Sequence, residues 1–116
     1  MGIQFTDICL ITTDVLRLCA FYERVFKGTA EGDAFHSTLV AGGVNLTFDH
    51  VAPLQEYAAF GYVTANSGNN IIVSFNVDDV DAEYQRLLPL GVVMLNQPTT
   101  HPWGARSFQF KDPDGN

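Results

Sequence analysis

A single carboxylate interrupts an apolar run near the start of the chain. Phe5 to Ile11 reads as a strand, and Asp7 is its exception. Strand side chains alternate between two faces, so Asp7, Cys9 and Ile11 share one face while Ile8 and Leu10 share the other. On a face lining a cleft, Asp7 is a candidate general base or a partner for a cationic ligand, because desolvation raises a carboxyl pKa toward the working range. At an exposed strand end the same residue simply meets water. Cys9 and Cys19 are the two cysteines, and they lack the CxxC spacing of a zinc or redox site. They read as buried free thiols. His36, His50 and His101 lack the spacing of a helical metal pair and read as surface or rim histidines. His101 is the most interesting of them, since Pro102 and Trp103 stiffen its loop.

Uncharged polar residues add to this inventory. Asn45, Thr47, Ser74, Asn76, Ser107 and Gln109 alternate with apolar residues on predicted strands. Alternation against solvent is the ordinary cause. A few such groups in an apolar cleft are also what small-molecule recognition needs. Trp103 and the run Phe60-Gly61-Tyr62 offer flat aromatic walls or ordinary core. The cluster Asp78, Asp79 and Asp81 reads as a helix N-terminus, where the dipole favours carboxylates.

The elements that position these residues follow from periodicity. After the first strand, Thr12, Thr13 and Asp14 offer helix N-caps. Val15, Leu18, Cys19, Tyr22, Val25 and Phe26 then fall along one helical face, and Gly28 is the expected stop. Three short strands follow, around Thr29, over Phe35–Val40 and over Val44–Phe48, with hairpin turns at Gly32-Asp33 and Gly42-Gly43. Pro53 opens a short helix through Tyr57, and Thr64–Asn70 is a polar linker. The pattern then restarts. Ile71–Val77 reads as a strand, and Asp79 caps a helix with Val80, Tyr84, Leu87 and Leu88 on one face. Val92–Leu95 reads as a strand, Asn96–Gly104 as a loop and Ala105–Lys111 as a strand. Asp112-Pro113-Asp114-Gly115 is a turn, because Pro113 presets φ and Gly115 permits a left-handed conformation. Each half is thus one structural phrase, and the second lacks the strand that should return from its closing turn.

Composition bounds the function class. A chain of 116 residues with 47% hydrophobic content fits one domain, or two half-domains sharing a core. Six basic residues face thirteen acidic ones, a formal charge of −7, and there is no basic stripe; nucleic acid is not an expected partner. No membrane span and no leader segment are expected, so the expected compartment is the cytoplasm.

Four stretches resemble a known family: Asp14-Val15 leading to Phe21-Tyr22, Val77-Asp78-Asp79-Val80-Asp81, His101-Pro102-Trp103-Gly104, and Asp112-Pro113-Asp114-Gly115-Asn116. Together they resemble the vicinal oxygen chelate superfamily of glyoxalases, extradiol dioxygenases, fosfomycin-modifying enzymes and bleomycin-binding proteins. The resemblance implies an α+β fold of two βαβββ modules forming a curved mixed sheet around a cavity. It divides a single domain, 1–116, into module one at 3–50, a connecting segment at 51–70 and module two at 71–116. It also implies a homodimer, in some members with a pocket shared between chains.

Metal-dependent members place His, Glu or Gln ligands on the cavity side of the strands. Matched position by position, Asp7 stands where the family often has a histidine, Ile72 is its counterpart in the second half, and Asn45 takes the place of a ligand glutamate. The fourth position lies on the missing strand. One carboxylate and one amide are too few donors for a transition metal, so no divalent metal or other cofactor is expected. The resulting expectation is a metal-independent protein that binds a small organic ligand. Its pocket is built from Asp7, Cys9, Asn45, Thr47, Ser74, Asn76, Trp103, Ser107 and Gln109, and Asp7 is the candidate catalytic residue. The alternatives are a metal-dependent lyase, thiol transferase or dioxygenase completed by a partner chain or by further residues, and an interaction role using free sheet edges.

Overall fold

In the computed structural model, which describes residues 2–66, 68 and 70–116, the first helix forms where a cap meets an apolar stripe. Helix α1 spans Val15–Phe26, and Asp14 caps it by accepting from Arg17 N at 3.0 Å. Thr12 is fully buried instead, and its hydroxyl accepts from Asp14 N at 3.1 Å. Val15, Leu18, Cys19, Tyr22 and Val25 are buried as expected, joined by Phe21, while Phe26 is half-buried. The helix does not stop on Gly28. Lys27 takes the left-handed conformation, φ 58° and ψ 38°, and Gly28 N donates to Glu23 O at 3.1 Å. Glycine at 28 serves packing, since a Cβ there would lie 3.3 Å from Leu39 Cδ1.

The helix covers one face of a mixed sheet. Strands β1 (Asp7–Thr12), β2 (Glu31–Gly32), β3 (His36–Ala41) and β4 (Val44–His50) lie in the order β1-β4-β3-β2. β1 runs parallel to β4, and the other pairs are antiparallel. A parallel neighbour cannot be reached by a hairpin, so the chain crosses over through α1 before returning. The Gly42-Gly43 hairpin needs both glycines, at φ 58° and 85°. Leu10, Leu39, Leu46 and Phe48 are buried on the face toward α1, and Phe48 stacks on Tyr22 with centroids 5.6 Å apart. A short helix α2, Val51–Gln55, starts two residues ahead of Pro53 because His50 Nδ1 accepts from Ala52 N.

These elements belong to the first of two compact units, Met1–Ser67 and Gly68–Asn116. Ser67 and Asn69 of the expected linker lie outside the described residues. In the second unit, helix α3 spans Val80–Leu87, capped by Asp79 accepting from Ala82 N at 3.0 Å. Leu87 is buried, but Leu88 begins a 3-10 turn that rotates it outward, to 42% exposure. Two small antiparallel pairs follow. β5 (Val93–Met94) pairs with β8 (Phe110–Lys111), and β6 (Thr99–Thr100) with β7 (Arg106–Ser107).

This unit corrects three expectations. The predicted strand over 71–77 has no ladder, although half-buried Ile71, Val73 and Phe75 still alternate with exposed Ile72, Ser74 and Asn76. The predicted strand over 105–111 is broken between β7 and β8. At the break the Asn96 side chain accepts from Gln109 N at 2.7 Å, so a side chain takes the place of a ladder partner. The predicted loop over 96–104 contains β6. The closing turn forms as expected: Gly115 N donates to Asp112 O at 3.0 Å, with Gly115 at φ 88°. Asp112 is buried, and its carboxylate accepts from Asp114 N, Asn116 N and Asn116 Nδ2. Among the described residues no helix is long and apolar enough to cross a membrane.

Candidate functional site

The register of the first sheet decides which side chains share its open face. β1 pairs with β4 so that Asp7 lies opposite Asn45, Cys9 opposite Thr47 and Ile11 opposite Asp49. β3 pairs with β4 so that His36 lies opposite Asp49, Thr38 opposite Thr47 and Val40 opposite Asn45. Paired residues point to the same side of a sheet. Since Leu10, Leu46 and Phe48 face α1, the residues Asp7, Cys9, Asn45, Thr47, Asp49 and His36 occupy the opposite face. The sequence parity thus brings together four predicted site residues of this unit.

All of these side chains but Asn45 take part in the hydrogen bonds here. Thr6 Oγ1 donates to Asp7 Oδ1 at 2.7 Å, and Thr47 Oγ1 donates to Asp7 Oδ2 at 3.3 Å. Cys9 Sγ donates to Asp49 Oδ2 at 2.6 Å, and His36 Nδ1 meets Asp49 Oδ1 at 2.5 Å. Asp49 and His36 are the residues that sequence reasoning missed here. Cys9 is exposed as a residue, which corrects the expectation of a buried thiol. Its sulfur is nonetheless shielded by the sheet. That shielding, reinforced by the hydrogen bond to Asp49 and the nearby carboxylate charges, pushes the thiol from its ordinary 9.0 up to about 11. At neutral pH Cys9 is a protonated hydrogen-bond donor and not a thiolate nucleophile. Cys19 is buried, as expected.

The second unit gathers a separate set. His101 Nε2 lies 2.6 Å from Ser107 Oγ, and Gln109 Nε2 donates to the same oxygen at 3.0 Å. Asn96 Nδ2 donates to Gln109 Oε1 at 2.6 Å. The rings of His101 and Trp103 stack with centroids 4.6 Å apart and planes 6° from parallel. Trp103 and Ser107 are therefore joined through His101, and Gln109, held by Asn96, bonds to Ser107 directly. Ser74 and Asn76 are exposed and take no part in these bonds. Of the acidic cluster, Asp79 is the cap, while Asp81 forms a two-point ion pair with Arg106 at 2.8 and 2.9 Å.

The positions that would hold a metal do not suit one. Asp7 is engaged by two hydroxyls, Asn45 offers a neutral amide, and Ile72 has no donor atom and is 88% exposed. Among the described residues, no group of three or more His, Cys, Asp or Glu side chains is placed to hold a metal ion.

Comparison with known proteins identifies the group. Solved structures share the fold. A glyoxalase/bleomycin resistance protein/dioxygenase from Nocardioides has a TM-score of 0.82 at 24% identity, covering 99% of this chain and 80% of that one. A family enzyme from Burkholderia phytofirmans PsJN has a TM-score of 0.81 at 20% identity, covering 95% and 91%. A glyoxalase-related enzyme from Fulvimarina pelagi has a TM-score of 0.77 at 24% identity, covering 97% and 82%. No curated protein matches the sequence. Residues 4–116 match the Glyoxalase/Bleomycin resistance protein/Dioxygenase superfamily, and the chain belongs to that superfamily.

Proposed function

We propose that the protein binds a small organic molecule without a metal, on the open face of the first sheet. The observation that carries this reading is the hydrogen-bonded set Asp7, Thr47, Cys9, Asp49 and His36, with Asn45 beside Asp7 in register, held on paired strands opposite the face covered by α1. Rigid strands fix donors and acceptors before a ligand arrives, which lowers the entropy cost of binding. The face also carries Glu31, which lies opposite Thr38, and none of β1–β4 contains Lys or Arg. Its field favours neutral or cationic ligands over anions. The test is a thermal-shift and calorimetric screen of planar aromatic, cationic and anionic compounds against the purified protein. Stabilisation by the first two classes, weakened by Asp7→Asn and Asp49→Asn, is the expected result. No binding by any class, or binding confined to anions, overturns the reading.

Family membership favours a second reading, a metal-dependent lyase, thiol transferase or dioxygenase whose donors come from a partner chain or from further residues. A homodimer belongs to either reading. Elemental analysis of natively purified protein, paired with its mass in solution, separates them: stoichiometric metal supports the enzyme, and metal-free protein that binds ligand supports the first.

A further inference from the structure

The β6–β7 hairpin of the second unit holds a serine and a histidine in a relation that the binding reading does not use. Thr99 lies opposite Ser107, and His101 follows Thr99 by two residues, so His101 and Ser107 are diagonal neighbours on one face. The turn is closed by His101 N donating to Ala105 O at 2.7 Å and Gly104 N donating to His101 O at 2.9 Å. Gly104 sits at φ 96°, so the loop is shaped by a residue without a side chain.

Three contacts orient the pair. Ser107 Oγ lies 2.6 Å from His101 Nε2, within reach for proton transfer. Asn96 donates to Gln109 Oε1, which turns the Gln109 amide nitrogen toward Ser107 Oγ, where it donates at 3.0 Å. With that contact filling one acceptor site, the Ser107 hydrogen is free to point at Nε2. Stacking on Trp103 holds the imidazole plane. Trp103 is 76% exposed, so an indole surface stands open beside the pair for a flat molecule to lie on.

We propose that Ser107 and His101 form a nucleophile and base that accept an acyl group from an activated aromatic ester. Ser107 Oγ attacks the carbonyl carbon and forms a new C–O bond, while its proton passes to His101 Nε2. The bond from carbon to the leaving phenol oxygen breaks, and that oxygen takes the proton from the imidazolium. The products are acyl-Ser107 and the free phenol. Water hydrolyses the acyl-enzyme by the same proton path, releasing the carboxylic acid and restoring Ser107. This goes beyond the binding reading and uses none of its residues.

The experiment treats the full chain with p-nitrophenyl acetate, and separately with a fluorophosphonate probe, and maps the modified peptide by mass spectrometry. Modification of Ser107 is expected, lost in Ser107→Ala and slowed by about 100-fold in His101→Gln, the scale of a lost general base. Trp103→Ala should weaken saturation by the aromatic ester more than it slows the step at saturation. Circular dichroism of each variant establishes its fold, and mapping on the unaltered chain stands whatever the variants do. Three results overturn the proposal: no modification of the folded chain by either reagent, modification at lysine, cysteine or histidine with Ser107 untouched, and Ser107 modification at an unchanged rate in folded His101→Gln.

Discussion

Replacing Asp49 by Asn, in a Cys19→Ser background that leaves one thiol, probes the linked face directly. In the parent the Cys9 thiol is held near 11, two units above its ordinary 9.0. The thiolate fraction at any pH well below 9 is then about 100-fold lower than for an ordinary thiol, and alkylation by iodoacetamide slows accordingly. Burial is the largest cause and survives the substitution. The hydrogen bond to a carboxylate and the charge of Asp49 are removed. Alkylation should therefore accelerate by about tenfold at fixed pH, with the midpoint of the rate–pH profile shifting down but not reaching the ordinary value. Asp7→Asn should do less, because Asp7 acts on the thiol only by charge, as the smallest of its causes. The stability consequence has a definite sign. A thiol whose pKa is raised by folding contributes stability that is present below pH 9 and lost as the pH rises toward 11. Two units correspond to about 2.7 kcal/mol at most, and solvent on this open face reduces that to about 1 kcal/mol. Urea unfolding across this range, compared with Cys9→Ser, measures it. An unchanged alkylation profile in Asp49→Asn would show that the carboxylate does not hold the thiol proton, and the linked array would lose its centre.

Three further outcomes follow from the packing. Lys27→Gly should stabilise the chain by about 1 kcal/mol in urea unfolding, because Lys27 is exposed and pays for a left-handed backbone that glycine adopts freely. Asp112→Ala should destabilise by about 2–3 kcal/mol and open the closing turn to amide exchange, since one buried carboxylate holds three donors; Asp112→Asn should lose less. Phe48→Ala should cost about 3–5 kcal/mol in chemical denaturation, through the cavity left against Tyr22.

The first half was the more legible part of the sequence, for a physical reason. Its helix is signalled locally, by Asp14 and a stripe at helical spacing, and its strands by alternation and the Gly42-Gly43 turn. Parity within one strand was enough to place Asp7 and Cys9 on a common face. Asp49 and His36 were not legible, because nothing near them in sequence marks them. Asp49 sits between Phe48 and His50 at a strand end, where a polar residue ordinarily meets water, and His36 reads as a rim histidine. They acquire a role only through pairing, which sets Asp49 beside a thiol 40 positions earlier and an imidazole 13 positions earlier. Helix termination failed differently. Gly28 was the natural stop by composition, yet the backbone reversal falls on Lys27 and the glycine is spent on clearance for Leu39. In the second half, alternation over 71–77 survives as a burial pattern without a ladder. Period-two hydrophobicity reports which side chains are sheltered and leaves open whether the backbone is paired.

The same distinction bears on the metal question. Strand geometry brings Asp7 and Asn45 side by side, since the register makes them partners across β1 and β4. The backbone therefore presents adjacent side chains to one face, as a chelating site requires, and the obstacle is chemical. A neutral amide is a weak donor beside a carboxylate, and that carboxylate already accepts from Thr6 and Thr47. A cation held here would still need stronger ligands from elsewhere. An organic ligand faces no such demand, because it can exchange hydrogen bonds with Asp7, Asn45 and Thr47 one for one. Superfamily membership fixes the scaffold, and the side chains at positions 7 and 45 bring one carboxylate and one amide to its first sheet.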